Sequence, residues 1–134
     1  MSATGGMDDQ ALACASDNSD LIIMGLGTND DNGGDMTALQ AKVESNITAL
    51  KSSNPNARLA YINVLPRWTD VTGATPVDKS NIRTAIASAC TAQSVTCLDP
   101  YTEPWILPSD TVEGIHPNAS GNTKIWSHIS ELFI

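Results

Sequence analysis

Basic residues are scarce in this sequence of 134 residues, which has seven Lys and Arg against 15 Asp and Glu. The formal net charge is −8 at pH 7, and the few basic residues are scattered along the chain. Such a surface repels nucleic acid and is not attracted to anionic membranes, so we expect neither as a partner. A chain of this length can bury a core without metals, which predicts a single domain over 1–134.

Long apolar runs are also missing from the chain. No stretch reaches the roughly 18–20 apolar residues that a membrane-spanning helix needs. The first six residues, MSATGG, lack the basic start and the apolar core of a signal peptide. The sequence contains no internal repeat and no low-complexity tract. These absences leave the cellular compartment open.

Cysteine is limited to Cys14, Cys90 and Cys97, and no two of them form a Cys-x-x-Cys pair. The two histidines lie far from them in sequence, so we predict no metal site and no cofactor. Cys90 and Cys97 allow two interpretations. They either form a disulfide between the end of a helix and the next strand, or they are buried free thiols. Cys14 is expected in the core as a small apolar residue.

The spacing of apolar residues predicts alternating helices and strands. The run Leu21–Leu26 carries no charge and no alternation, which is typical of a parallel strand covered on both faces. Helices are predicted over 7–16, 36–53, from Pro76 to about 92, and over 119–133; strands are predicted over 20–26, 58–65 and 95–98. This order predicts the α/β class, a three-layer α/β/α sandwich with a parallel, flavodoxin-like sheet. The apolar residues of the last helix, Ile125, Ile129, Leu132 and Phe133, are expected to pack on the sheet.

Polar residues suited to chemistry follow the first predicted strand and precede the last helix. Asn29 comes two residues after Gly27, where the carboxyl ends of parallel strands bind ligands. An amide there can donate a hydrogen bond to a developing oxyanion. His116 lies before the last helix, and Glu113 can turn back to contact its ring, as a general base requires. Coincidence is the alternative for a surface His beside a Glu, but Asn29 and His116 are expected at the same edge.

Trp68 lies on a loop that is expected at this same edge of the sheet. There its ring either stacks on a substrate or packs in the core.

Two sequence blocks resemble the SGNH (GDSL-type) hydrolase family. Gly27-Thr28-Asn29-Asp30 is similar to its Gly-x-Asn-Asp block, and Glu113-Gly114-Ile115-His116-Pro117 is similar to its final Asp-x-x-His-Pro block. The resemblance implies an ester hydrolase, either a carboxylesterase or a carbohydrate deacetylase, that acts on a small-molecule ester. It implies that Asn29, beside Gly27, donates to the oxyanion and that His116 is the general base. Glu113 stands where the family has Asp, and Asp110 is the alternative acid.

The family's Gly-Asp-Ser block, which carries the nucleophilic serine, has no counterpart in this sequence. The start of the chain resembles the family's second block, in which a Gly-containing loop also donates to the oxyanion, and this role falls to Gly5. Ser2 is then the candidate nucleophile. The sequence is accordingly interpreted as truncated at its N-terminus. A non-catalytic remnant or a binding module of the same fold is the alternative function.

The absence of this block also affects the predicted sheet. In the family the first strand lies beside the one that matches 20–26. Without that neighbour, Leu21–Leu26 becomes an apolar edge with unpaired backbone groups, which invites another chain to pair with it. We therefore expect a homo-oligomer formed through this edge.

Overall fold

The computed structural model describes residues 19–29, 34–73 and 75–133. Contacts divide the chain into two compact units. The first unit contains the described residues up to Asn63 together with Lys79–Leu98. The second contains Val64–Asp78 and the described residues from Asp99 onward.

Within the described residues, the first unit is built on a parallel sheet of three strands. These are β1 (Leu21–Met24), β2 (Arg58–Ile62) and β3 (Thr96–Leu98), and they lie in the order β1-β2-β3. Leu21 is opposite Arg58, and Ala60 is opposite Thr96. Helix α1 (Met36–Ser53) lies between β1 and β2 in sequence, and α2 (Ser80–Ala92) precedes β3. Parallel strands that alternate with helices confirm the predicted α/β class.

Helix α1 has the bounds that its apolar spacing predicts. One stripe of the helix is buried, and it consists of Leu39, Val43, Ile47 and Leu50. The Asp35 carboxylate begins the helix by accepting hydrogen bonds from the backbone N–H groups of Thr37 and Ala38, at 2.9 and 3.3 Å. A carboxylate in this position satisfies amides that have no partner inside the helix.

Helix α2 begins at Ser80, four residues after the predicted start at Pro76. The difference has a local cause, because the Val77 N–H donates to the Arg67 carbonyl at 2.6 Å and is held in a loop of the second unit. Within α2, Ile82 and Ile86 are buried, as the helical spacing predicts. The first two strands are shorter than predicted, since they end at Met24 and Ile62.

Cys90 and Cys97 are not joined by a disulfide in the structure; Cys90 is buried at the end of α2, and Cys97 is half-buried. A hydrogen bond with Cys97, together with burial, raises the pKa of the Cys90 thiol. Of the two interpretations of this pair, the structure therefore contains the thiols and not the disulfide. Cys14 and the predicted helix over 7–16 lie outside the described residues.

The second unit contains a short 3-10 helix (Pro108–Asp110), helix α3 (Ala119–Ser130) and a terminal 3-10 turn (Glu131–Phe133). The predicted helix over 119–133 is therefore α-helical only as far as Ser130. The prediction that Phe133 packs on the sheet is wrong, because this residue is 61% exposed and contacts the equally exposed Trp126. Within the described residues, no helix is long and apolar enough to cross a membrane.

Candidate active site

His116 lies in a short loop of the second unit whose two ends are joined. We call residues 111–117 the His116 loop. Thr111 and Pro117 form an antiparallel bridge, and the Val112 N–H donates to the His116 carbonyl at 2.9 Å. Asn118 closes the base, since its N–H donates to the Asp110 carbonyl at 2.9 Å. The first and last residues of the loop are therefore held together in front of α3.

Gly114 gives the His116 loop its turn. Its φ of +87° lies in a region of backbone conformation that residues with a side chain rarely adopt. A Cβ at this position would lie 2.8 Å from the Trp68 carbonyl oxygen. The Trp68 N–H donates to the Gly114 carbonyl at 2.8 Å. In addition, the Gly114 N–H donates to the Thr111 hydroxyl at 2.8 Å. These contacts hold the tip of the loop against residue 68.

Glu113 and His116 are in direct contact, as their spacing predicts. Glu113 Oε1 contacts Nδ1 of the His116 ring, and it also accepts a hydrogen bond from the His116 backbone N–H at 3.3 Å. The side chains are 77% exposed for His116 and 46% exposed for Glu113. A carboxylate on Nδ1 fixes the ring and leaves Nε2 as the nitrogen that can exchange a proton with a reactant. The pair thus has the arrangement of a general base with its partner.

Asp110, the alternative acid, makes its contacts elsewhere. Its carboxylate is 4% exposed and accepts hydrogen bonds from the Lys124 ammonium at 2.6 Å, the Leu107 N–H at 2.8 Å and the Ser120 hydroxyl at 2.8 Å. The bond with Lys124, followed by those with Leu107 and Ser120, holds the pKa of this carboxyl below its usual range. The structure therefore pairs Glu113, and not Asp110, with the His116 ring.

Of the residues predicted around the oxyanion, Asn29 and Gly27 belong to the first unit. Asn29 is exposed in the turn after β1, in the first unit. Gly27 is buried, its φ is +115°, and a Cβ there would lie 2.8 Å from Ile86 Cδ1, so glycine is needed for this turn. The proximity of Asn29 to His116 stays a prediction from the sequence. Ser2 and Gly5 lie outside the described residues.

Two tryptophans on loops of the second unit already have neighbours. Trp68 is 3% exposed, so its ring offers no free face to a substrate and fits the alternative of core packing. The half-buried Trp105 stacks on His128, with ring centroids 4.4 Å apart and planes inclined by 8°. No pattern in the sequence indicated this stack, because Trp105 and His128 are distant along the chain.

The sequence also failed to indicate Lys124 and Ser120 as partners of Asp110. One signal was present, since residues four apart on a helix share a face. The spacing does not show which residue contacts this face of the helix, because Asp110 precedes the His116 loop in sequence and the helix follows it. In the described ranges, no group of three His, Cys, Asp or Glu side chains is placed to hold a metal ion.

Comparison with known proteins identifies relatives by sequence and by fold. A family model described as GDSL-like Lipase/Acylhydrolase family matches residues 2–124. No curated protein matches the chain. Among solved structures, a protein from Lactobacillus plantarum is similar, with a TM-score of 0.78 and 21% identity over 96% of this chain and 72% of the other.

Two further structures share the fold at low identity. A peptidoglycan O-acetylesterase has a TM-score of 0.77 and 16% identity over 93% of this chain and 40% of its own length. The periplasmic domain of a lipopolysaccharide acetyltransferase from Salmonella ser. Paratyphi A has a TM-score of 0.70 and 10% identity over 93% and 60%. The chain thus spans less than two thirds of the length of these two proteins.

Proposed function

Since the chain belongs to the GDSL-like lipase/acylhydrolase family, we propose that it hydrolyses a small-molecule ester with a serine nucleophile and His116 as the general base. The observation that carries this proposal is the contact between Glu113 and Nδ1 of His116. It leaves Nε2 unengaged by Glu113 on a side chain that is 77% exposed and therefore open to a substrate.

In the proposed reaction the serine oxygen attacks the acyl carbon and its proton moves to Nε2 of His116. The alcohol then leaves with that proton, and the acyl group remains on the serine. A water molecule attacks the acyl-enzyme and gives one proton to His116, which passes it to the departing serine oxygen. The carboxylic acid and the free serine are thereby released. Glu113 stabilises the imidazolium that forms in both steps.

The nucleophile and the oxyanion donor are assigned from sequence alone. Ser2 lies within the residues that the family model matches and is the candidate nucleophile. The amide of Asn29 and the backbone of Gly5 are the candidate oxyanion donors, with Gly27 shaping the turn before Asn29.

Acetyl esters are the substrates to test first. Two of the structures with this fold are named for acetyl chemistry, as an O-acetylesterase and an acetyltransferase. An aryl acetate gives a direct optical assay, and an O-acetylated glycan tests the carbohydrate deacetylase alternative.

The experiment compares hydrolysis of p-nitrophenyl acetate by the wild type, His116→Ala and His128→Ala. His128 is the matched control because the chain has only two histidines. Loss of the general base is expected to lower kcat by about 10²–10⁴-fold in His116→Ala. His128→Ala should keep the wild-type rate.

A fluorophosphonate ester then identifies the nucleophile by mass spectrometry of the adduct. An adduct on Ser2 that forms in the wild type and not in His116→Ala would support the full proposal. An adduct on another serine would keep the mechanism and replace the nucleophile. No adduct and no hydrolysis would refute it and favour the non-catalytic alternative.

A further inference from the structure

We infer that Asp110 and Lys124 position the His116 loop for catalysis, so that their contact sets the turnover rate without touching the substrate. The inference rests on the proposed function. It makes both residues positioning residues, and it replaces the earlier interpretation of Asp110 as an acid for His116.

The Asp110 side chain connects the two segments that flank the loop. Its carboxylate accepts from the Leu107 N–H at 2.8 Å, just before the 3-10 helix that leads into the loop. It also accepts from Ser120 Oγ at 2.8 Å and Lys124 Nζ at 2.6 Å, both on α3, which follows the loop. We call this set of three contacts the Asp110 anchor.

The backbone of Asp110 and Asn118 also joins the two ends of the loop, next to the Asp110 anchor. The Asp110 carbonyl accepts the Asn118 N–H at 2.9 Å. The Asn118 side chain accepts from the Gly121 N–H at 3.1 Å, which begins α3, and donates to the Ser109 carbonyl at 2.9 Å. Entry and exit of the loop are therefore tied together by a backbone contact and by side chains on both sides.

Burial makes the charge of Asp110 important for this arrangement. The carboxylate is 4% exposed, whereas Lys124 is 44% exposed and reaches it from the surface of α3. A buried carboxylate without its cation is unfavourable, so Asp110 depends on Lys124. In contrast, the side chains of Glu113 and His116 are exposed, and both are carried by the loop.

Loss of the contacts that join the two ends of the His116 loop should therefore change the position of the imidazole more than the binding of substrate. Displacement of a catalytic group by about 1 Å can cost about 100-fold in rate. An interaction of this type lowers kcat and leaves KM unchanged when removed.

The test uses Asp110→Asn, Lys124→Met and the double variant in the full chain. Each single variant is expected to lower kcat for p-nitrophenyl acetate by about tenfold, with KM unchanged and no further loss in the double variant. Lys124→Arg keeps a cation at the buried carboxylate and should retain most of the wild-type kcat. Because Lys124 is partly exposed, its variants keep the test valid if Asp110→Asn does not fold.

A second readout follows the loop itself, by hydrogen–deuterium exchange of the peptide that covers residues 111–117. Faster exchange in Asp110→Asn and Lys124→Met, together with the lower kcat, supports the inference. Asp35→Ala is the control, since it removes a helix-capping carboxylate that belongs to the first unit, whereas the His116 loop belongs to the second. An equal loss of kcat in Asp35→Ala would show general destabilisation and overturn the inference.

The two readouts also separate this inference from the proposed function. Faster exchange with an unchanged kcat would overturn the positioning role while leaving the hydrolase intact. If the wild type neither hydrolyses esters nor forms the adduct, the proposed function fails. Hydrogen–deuterium exchange alone then decides whether the Asp110 anchor holds the loop. Unchanged exchange in Asp110→Asn would then overturn the Asp110 anchor, and faster exchange would support it.

Discussion

At the level of single residues, Gly114 is the position in the His116 loop that tolerates no side chain. Its positive φ disfavours any residue with a Cβ, and the neighbouring atoms that a Cβ would meet belong to the backbone of Trp68 and Asp70. Backbone atoms cannot move aside as the end of a flexible side chain can. Both the conformation and the space therefore require glycine.

Gly114→Ala is expected to lower the free energy of unfolding by about 1–3 kcal/mol, the range for a residue forced into such a conformation. Urea denaturation measures the change. Gly25→Ala is the matched control, because Gly25 is exposed and, among the described residues beyond its chain neighbours, no heavy atom lies within 4 Å of a Cβ built there. Equal stability of the two variants would contradict this account of Gly114.

At the level of secondary-structure elements, the contact between Asp110 and Lys124 joins α3 to the 3-10 helix before the His116 loop. The bonds to Lys124, Leu107 and Ser120 lower the pKa of Asp110 in the folded state. A carboxyl with a lowered folded pKa stabilises the protein above its unfolded pKa. That contribution is lost as the pH falls from the unfolded value of about 3.9 through the lower folded value.

Asp110→Asn should therefore be less stable than the wild type at pH 7, by about 1.5–3 kcal/mol for a charged hydrogen bond. The difference should shrink as the pH falls below about 4, where the carboxyl is protonated first in the unfolded chain and then, at its lower pKa, in the folded protein. Urea denaturation of both proteins at a series of pH values measures it. A difference that stays constant down to strongly acidic pH would count against a charged Asp110 in the folded protein.

Some elements were predictable from the sequence because local rules decide them. Helix α1 follows from its apolar spacing and from its end at Asn54-Pro55. Glu113 contacts His116 because the two residues are three apart in a turn, which brings the carboxylate to the ring. The start of α2 was not predictable, since the Val77 N–H is bound by the distant Arg67 carbonyl. The same holds for Asp110, whose partner Lys124 is brought close only by the loop between them.

At the level of the whole molecule, β1 is the strand through which we expect the chain to associate. Among the described strands, β1 pairs only with β2. Ile22 and Met24 are buried, while Leu21 and Ile23 are half-buried. We propose, as the sequence led us to expect, that a second copy of the chain pairs with this strand, because an apolar strand at the edge of the described sheet is open to addition.

Size-exclusion chromatography with light scattering should then give a mass above that of one 14.1 kDa chain. Ile23→Lys places a charge on the half-buried face of β1 and should return the mass to that of a monomer. Val71→Lys changes an exposed apolar residue of the second unit and serves as the control. A wild-type monomer at all concentrations would contradict the proposal.

The distribution of tryptophan between the two units has a practical consequence for spectroscopy. Trp68, Trp105 and Trp126 are the three tryptophans of the chain, and all of them belong to the second unit. The two longest described helices, α1 and α2, belong to the first unit. Indole fluorescence therefore reports on the second unit alone, whereas far-UV circular dichroism is weighted toward the first. Denaturation curves from the two signals coincide only when both units unfold in one cooperative transition.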